Sequence, residues 1–128
     1  MINEKFKYKR TLVVQESKIL IGGTNSELID CGGMQPRNLL FPSNWTTSDL
    51  KIYFTNDKNG SIFYVLKNFD GSILSDFLIP AVPSLCSIPL IPYLFDSAPY
   101  FKIVSQTPQV QQVKIQIFFQ PIFQGIHG

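Results

Sequence analysis

Three stretches of two-residue alternation constrain this chain more than anything else in it. In residues 113–119 (VKIQIFF), Val113, Ile115, Ile117 and Phe119 point one way, and Lys114, Gln116 and Phe118 the other. Residues 50–55 set Leu50, Ile52 and Phe54 against Lys51, Tyr53 and Thr55, and residues 61–67 set Ile62, Tyr64 and Leu66 against Phe63, Val65 and Lys67. A period of two lays alternate side chains on opposite faces of a strand, so each stretch is predicted to rest one face on a core. Residues 6–14, 18–21, 28–31, 38–41, 73–79 and 100–105 are rich in β-formers and bounded by glycine, proline or polar residues, which adds six further strands. Short strands about ten residues apart predict an all-β single domain over residues 1–128, an antiparallel β-sandwich or jelly roll.

The punctuation agrees. Asp57-Lys58-Asn59-Gly60 predicts a tight hairpin between 50–55 and 61–67, because Asn-Gly accepts the positive φ angles of such turns. Asp70-Gly71 predicts a second turn. Helix is confined to one candidate turn in residues 43–49, with Ser43 or Thr46 as its cap. Six of the nine prolines fall between Pro80 and Pro108. Proline lacks an amide donor, so residues 80–99 are expected to be loops and edge segments.

Reactive chemistry is sparse. The sole histidine, His127, is next to last in the sequence, so neither a His-activated nucleophile nor a multi-His metal site can be assembled. Of the nine carboxylates, Asp49, Asp57 and Asp70 occupy turn or cap positions, and only Asp30 and Asp76 invite a test of burial. Asp57-Lys58-Asn59-Gly60 starts like a calcium loop but lacks the downstream acidic ligand. Gly22-Gly23 and Gly32-Gly33 open no helix and cradle no phosphate. Cys31 and Cys86 match no metal or redox spacing and are expected to be reduced thiols among apolar neighbours. No catalytic, cofactor or metal site is therefore expected, and the chain is not expected to be an enzyme.

The remaining features point toward binding. Charged residues make up 16% of the chain and hydrophobic ones 45%, so much of the surface is neutral, as suits a protein covered by partners. A net charge of +2 is too small to draw in nucleic acid strongly. The basic segment 1–10, with Lys5, Lys7, Lys9 and Arg10, alternates with Phe6 and Tyr8 and reads as the solvent face of a first strand, the alternative being a basic arm that touches nucleic acid. No apolar run reaches the roughly 18 residues of a membrane helix, and no signal-peptide core precedes residue 10. Trp45 is expected to be buried and to pin its turn, the alternative being an exposed sugar platform or interface anchor. In the apolar tail 118–128, Phe118 sits on a face that Lys114 and Gln116 mark as polar. Ile122, Phe123 and Ile126 follow Pro121 with no evident place in a small core. These four residues are the candidate partner-binding set.

Residues 19–71 resemble a family of tailed-phage virion structural proteins. The residues that carry the resemblance are Ile29, Asp30, Gly32, Gly33, Pro42, Trp45, Thr46, Leu50, Gly60, Phe63, Tyr64, Asp70 and Gly71. Phe101-Lys102-Ile103-Val104-Ser105 and Val113-Lys114-Ile115-Gln116-Ile117 are similar to that family's closing strands. The resemblance implies a β-sandwich that decorates or cements a capsid as an oligomer. Its partners would be the major capsid protein or other virion proteins, with no cofactor, specific nucleic acid or membrane. Its place would be the virion, assembled in the host bacterial cytoplasm. Alternatives are a tail- or fibre-associated attachment module and a carbohydrate-binding sandwich that presents aromatics such as Tyr53.

Overall fold

In a computed structural model, residues 13–71, 73–90, 95 and 99–121 are described. The strands are β1 (Val13–Ile19), β2 (Ile29–Asp30), β3 (Met34–Phe41), β4 (Ser48–Thr55), β5 (Tyr64–Val65) and β6 (Lys67–Asp70), then β7 (Ile73–Asp76), β8 (Ile79–Val82), β9 (Cys86–Pro89), β10 (Tyr100–Ser105) and β11 (Val113–Pro121). No α-helix occurs among the described residues. One sheet has the order β1-β11-β3-β9. The other runs β2-β10-β4, with β5 and β8 both bonded to the remaining edge of β4. Pairing is antiparallel throughout. With β5–β7 set aside as an insertion, β1, β3, β9 and β11 share one sheet and β2, β4, β8 and β10 the other. This is jelly-roll connectivity.

The alternation read from sequence is what builds the core. Leu50, Ile52 and Phe54 of β4 and Phe101 and Ile103 of β10 face Val113, Ile115, Ile117 and Phe119 of β11 and Leu39 and Phe41 of β3 in one buried cluster. Each such side chain contributes roughly 1.5–3 kcal/mol by leaving water. The Phe95 ring packs between two strands, its centroid 5.4 Å from Phe54 and 4.9 Å from Phe101.

Several boundaries differ from expectation. The tight hairpin at 57–60 is instead a wider loop. Gly60 N donates to Asp57 O at 2.8 Å and Gly60 takes φ +64°, but strand pairing resumes only at Phe54↔Tyr64. Residues 61–67 divide between β5 and β6, and neither Ile62 nor Tyr64 reaches the core. Residues 73–79 likewise divide into β7 and β8, where Phe77 N bonds Leu66 O at 2.9 Å across the base of the β6–β7 hairpin. The helical turn at 43–49 is absent. Trp45 N bonds Pro42 O at 3.2 Å in a reverse turn, and neither Ser43 nor Thr46 caps a helix. Within the proline-rich segment, β8 and β9 are edge strands, so Pro80 and Pro89 leave no inner ladder without a donor. Pro36 does lie in an inner strand, at a bulge where the register passes from Phe118↔Asn38 to Phe119↔Pro36. Strand β11 continues through Gln120 to Pro121, beyond the predicted 113–119.

The topology sorts the connections by end. Strands β1, β3, β8 and β10 all finish at one end of the sandwich, as the pairs Ile19↔Val113, Phe41↔Cys86, Ser48↔Val82 and Ser105↔Leu50 require. Val13 and Pro121 lie at the opposite end.

Candidate functional site

Three of the aspartates are taken up by turns and ion pairs. Asp30, whose burial was in question, is exposed, and its Oδ1 accepts from Gly32 N at 2.8 Å. That bond sets up the left-handed Gly32 (φ +56°) and Gly33 (φ +76°), so the Asp-x-Gly-Gly run is turn chemistry. Asp76 is half-buried between two ammonium groups, Lys51 Nζ at 2.7 Å and Lys67 Nζ. Hydrogen bonds from Lys51 and Lys67 hold its carboxyl down at about 2. Asp57 is held below the usual carboxylate range by the Ser61 hydroxyl at 2.6 Å and the Asn59 amide. Among the described residues, no three His, Cys, Asp or Glu side chains converge on a possible metal position.

Cys31 and Cys86 are both free thiols. Burial, with a smaller contribution from the Asp30 charge, pushes the Cys31 thiol up to about 11, and burial also raises Cys86. A thiol so shifted is protonated at neutral pH and a poor nucleophile. A shallow depression of about 380 Å3 on the outer face of the first sheet is lined by Glu16, Leu40, Pro42, Lys114 and Gln116. Glu16 and Lys114 are its ionisable groups, and no nucleophile accompanies them.

Trp45 is buried, as expected. Its Nε1 donates to Val82 O at 2.9 Å and its ring lies 4.8 Å from Phe41. The indole thus ties the β3–β4 turn to the end of β8 and is not available as a sugar platform. On the outer face of the second sheet, Lys102 Nζ lies 4.0 Å from the Phe63 ring centroid and 5.6 Å from that of Tyr53, a cation–π clasp that folds the 56–63 loop over the sheet.

The exposed apolar residues are therefore the candidates for function. Phe118 is half-buried on the outer face of the first sheet, between Val14 of β1 and Asn38 of β3. Its predicted companions Ile122, Phe123 and Ile126, like His127 and the whole of segment 1–10, lie outside the described residues. Two groups were missed in the sequence. Ile73 and Leu74 project from the β6–β7 hairpin, and Leu20, Ile21, Leu85 and Val110 stand exposed at the end where β1, β3, β8 and β10 finish. A visible signal for the second group was the scarcity of charge in its loops, where Glu27 is the sole charged residue.

The buried Gln109 fastens that end together. Its Oε1 accepts from Thr46 N at 2.7 Å, and its Nε2 donates to Thr46 O at 3.0 Å and Ser105 Oγ at 3.2 Å. Its backbone exchanges bonds with the β1–β2 loop, Gly22 N to Gln109 O at 2.7 Å and Gln109 N to Gly23 O at 3.0 Å. Comparisons with protein-family models, curated proteins and solved structures return no match.

Proposed function

We propose that this chain is a non-catalytic structural protein of a virus particle, a phage capsid decoration or cement component that acts through protein–protein contacts. The observation that carries the reading is the pairing of a rigid jelly roll with large aliphatic side chains left in water. Ile73 and Leu74 on a projecting hairpin, and Leu20, Ile21, Leu85 and Val110 at one end, are all exposed. Asp30, Asp57 and Asp76, committed to turns and ion pairs, and thiols raised by burial support a binding role over catalysis. The jelly roll is an architecture used by viral shells and by lectins alike, so the fold supports both classes. The sequence resemblance over residues 19–71 favours the first.

The proposed contacts include the outer face of the first sheet around Phe118 and the chain that follows it, Ile122, Phe123 and Ile126. The partner would be the major capsid protein or another virion protein. A chain ending at Pro121 tests this part of the reading, because every core residue described above precedes that point. The expected outcome is an unchanged melting temperature with loss of co-sedimentation with particles that lack the protein. Co-sedimentation undiminished by the truncation would remove the tail from the contact. Failure of the full chain to co-sediment at all would overturn the capsid assignment.

A further inference from the structure

Four loops meet at the end of the sandwich closed by Gln109: residues 20–28, 42–47, 83–85 and 106–112. No charged residue occurs in 20–26 or anywhere in the other three, although 16% of the chain is charged. Four large aliphatic side chains nevertheless stand in water here. Ile21 is 71% exposed, Leu85 76%, Val110 67% and Leu20 62%. Leu85 is held with φ +54°, a left-handed conformation that a leucine rarely adopts, while its N–H bonds Pro42 O at 3.4 Å. Strain retained at an exposed apolar residue is typical of contact sites. The Gln109 bonds tie loops 20–28 and 42–47 to 106–112, and the Leu85 bond ties 83–85 to 42–47, which lowers the ordering cost of any association. Depletion of charge, an aliphatic centre and a rim of neutral amides match the anatomy of an interface core. The four loops together approach one side of a standard interface, roughly 20–30 residues.

We propose that this end is the interface between two copies of the chain, joined end to end about a two-fold axis. The choice of occupant follows from chemistry. A charged partner surface would lose hydration here and gain no countercharge. A second copy brings the same neutral surface, so its approach meets no like-charge repulsion. The rim residues Asn44, Gln106, Gln111 and Gln112 carry amides that both donate and accept, so an amide of one copy can bond a different amide of the other, and the reciprocal bond repeats across a two-fold axis. The projecting β6–β7 hairpin is less suited to self-pairing, because Lys67 and Asp76 place charges beside its apolar residues. This inference rests on the reading that the chain acts by protein contact; it does not depend on the capsid assignment.

Sedimentation of the full chain across micromolar to submillimolar concentrations tests it, alongside Ile21→Glu, Val110→Glu and, as a control on the hairpin, Leu74→Glu. All three positions are exposed, and circular dichroism at high dilution checks that each variant folds. The wild type and Leu74→Glu should form dimers. Ile21→Glu and Val110→Glu should raise the dissociation constant at least about tenfold, since each sets two like charges across the axis. A wild type that stays monomeric throughout, a dimer untouched by both end variants, or a dimer lost in Leu74→Glu would each overturn the proposal. A monomeric chain that still co-sediments with particles, and loses that ability in Val110→Glu, would reassign this end to the capsid. That outcome would defeat the dimer and leave the proposed function standing.

Discussion

The Trp45 indole does two jobs that can be separated by substitution. Its ring fills space against Phe41, and its N–H satisfies the Val82 carbonyl at the end of an edge strand. Trp45→Ala removes both and should cost about 3–5 kcal/mol in stability by denaturant unfolding. Trp45→Phe keeps most of the packing but leaves the carbonyl unpaired, and should cost about 1–3 kcal/mol. An unchanged unfolding midpoint in Trp45→Ala would mean that the ring supports nothing. Trp45 was legible in sequence because a lone tryptophan between polar stretches needs a core to lie on. Gln109 was not, because nothing in Gln106-Thr107-Pro108-Gln109-Val110 singles out which amide turns inward. Its burial depends on Thr46 and Ser105, which only the folded loops bring near. The exposed Leu20, Ile21, Leu85 and Val110 escaped for the opposite reason, since an apolar side chain in a loop carries no mark of whether it packs.

At the scale of elements, strands whose alternation meets a facing sheet were readable, and the insertion was not. Strands β4 and β11 bury the faces that their sequences assign, because their alternate residues all meet the opposing sheet. Residues 61–67 alternate as cleanly, yet only Tyr64 and Val65 pair with β4, and one further bond from Leu66 N to Ile52 O precedes the departure into the hairpin. Periodicity reports a strand's two faces but is silent on whether either is covered. A two-stranded hairpin is marginal in water by itself. Here β6–β7 is held at its base by the Phe77–Leu66 backbone bond and by Asp76 between Lys51 and Lys67. The Asp76 carboxyl binds its proton less readily in the fold than in the unfolded chain, so its contribution is present above the usual carboxylate range. That contribution is lost as pH falls toward about 2. Amide protection in β6 and β7 should therefore drop below about pH 4, before that of β4 and β10. Asp76→Asn should show the lowered protection already at neutral pH. Equal protection in the variant and the wild type at neutral pH would mean that the ion pairs do not hold the hairpin.

The whole molecule is a jelly roll whose two ends differ. At one, four loops meet whose sole charged residue is Glu27, and Gln109 bonds two of them to its own; Val13 and Pro121 lie at the other. A molecule built this way leaves apolar side chains exposed at one pole and on a projecting hairpin, while Asp30, Asp57 and Asp76 serve turns and ion pairs. Such a division of surface suits a subunit that is one part of a larger assembly. Density at a resolution that traces strands, from purified particles of the kind to which the proposed function assigns this chain, is the most direct measurement of that claim. The account predicts a sandwich of β1-β11-β3-β9 packed on β2-β10-β4-β8, seated on the outside of the capsid shell in repeated, symmetry-related copies. Intact purified particles that contain no such density, and no peptide of this chain by mass spectrometry, would contradict it.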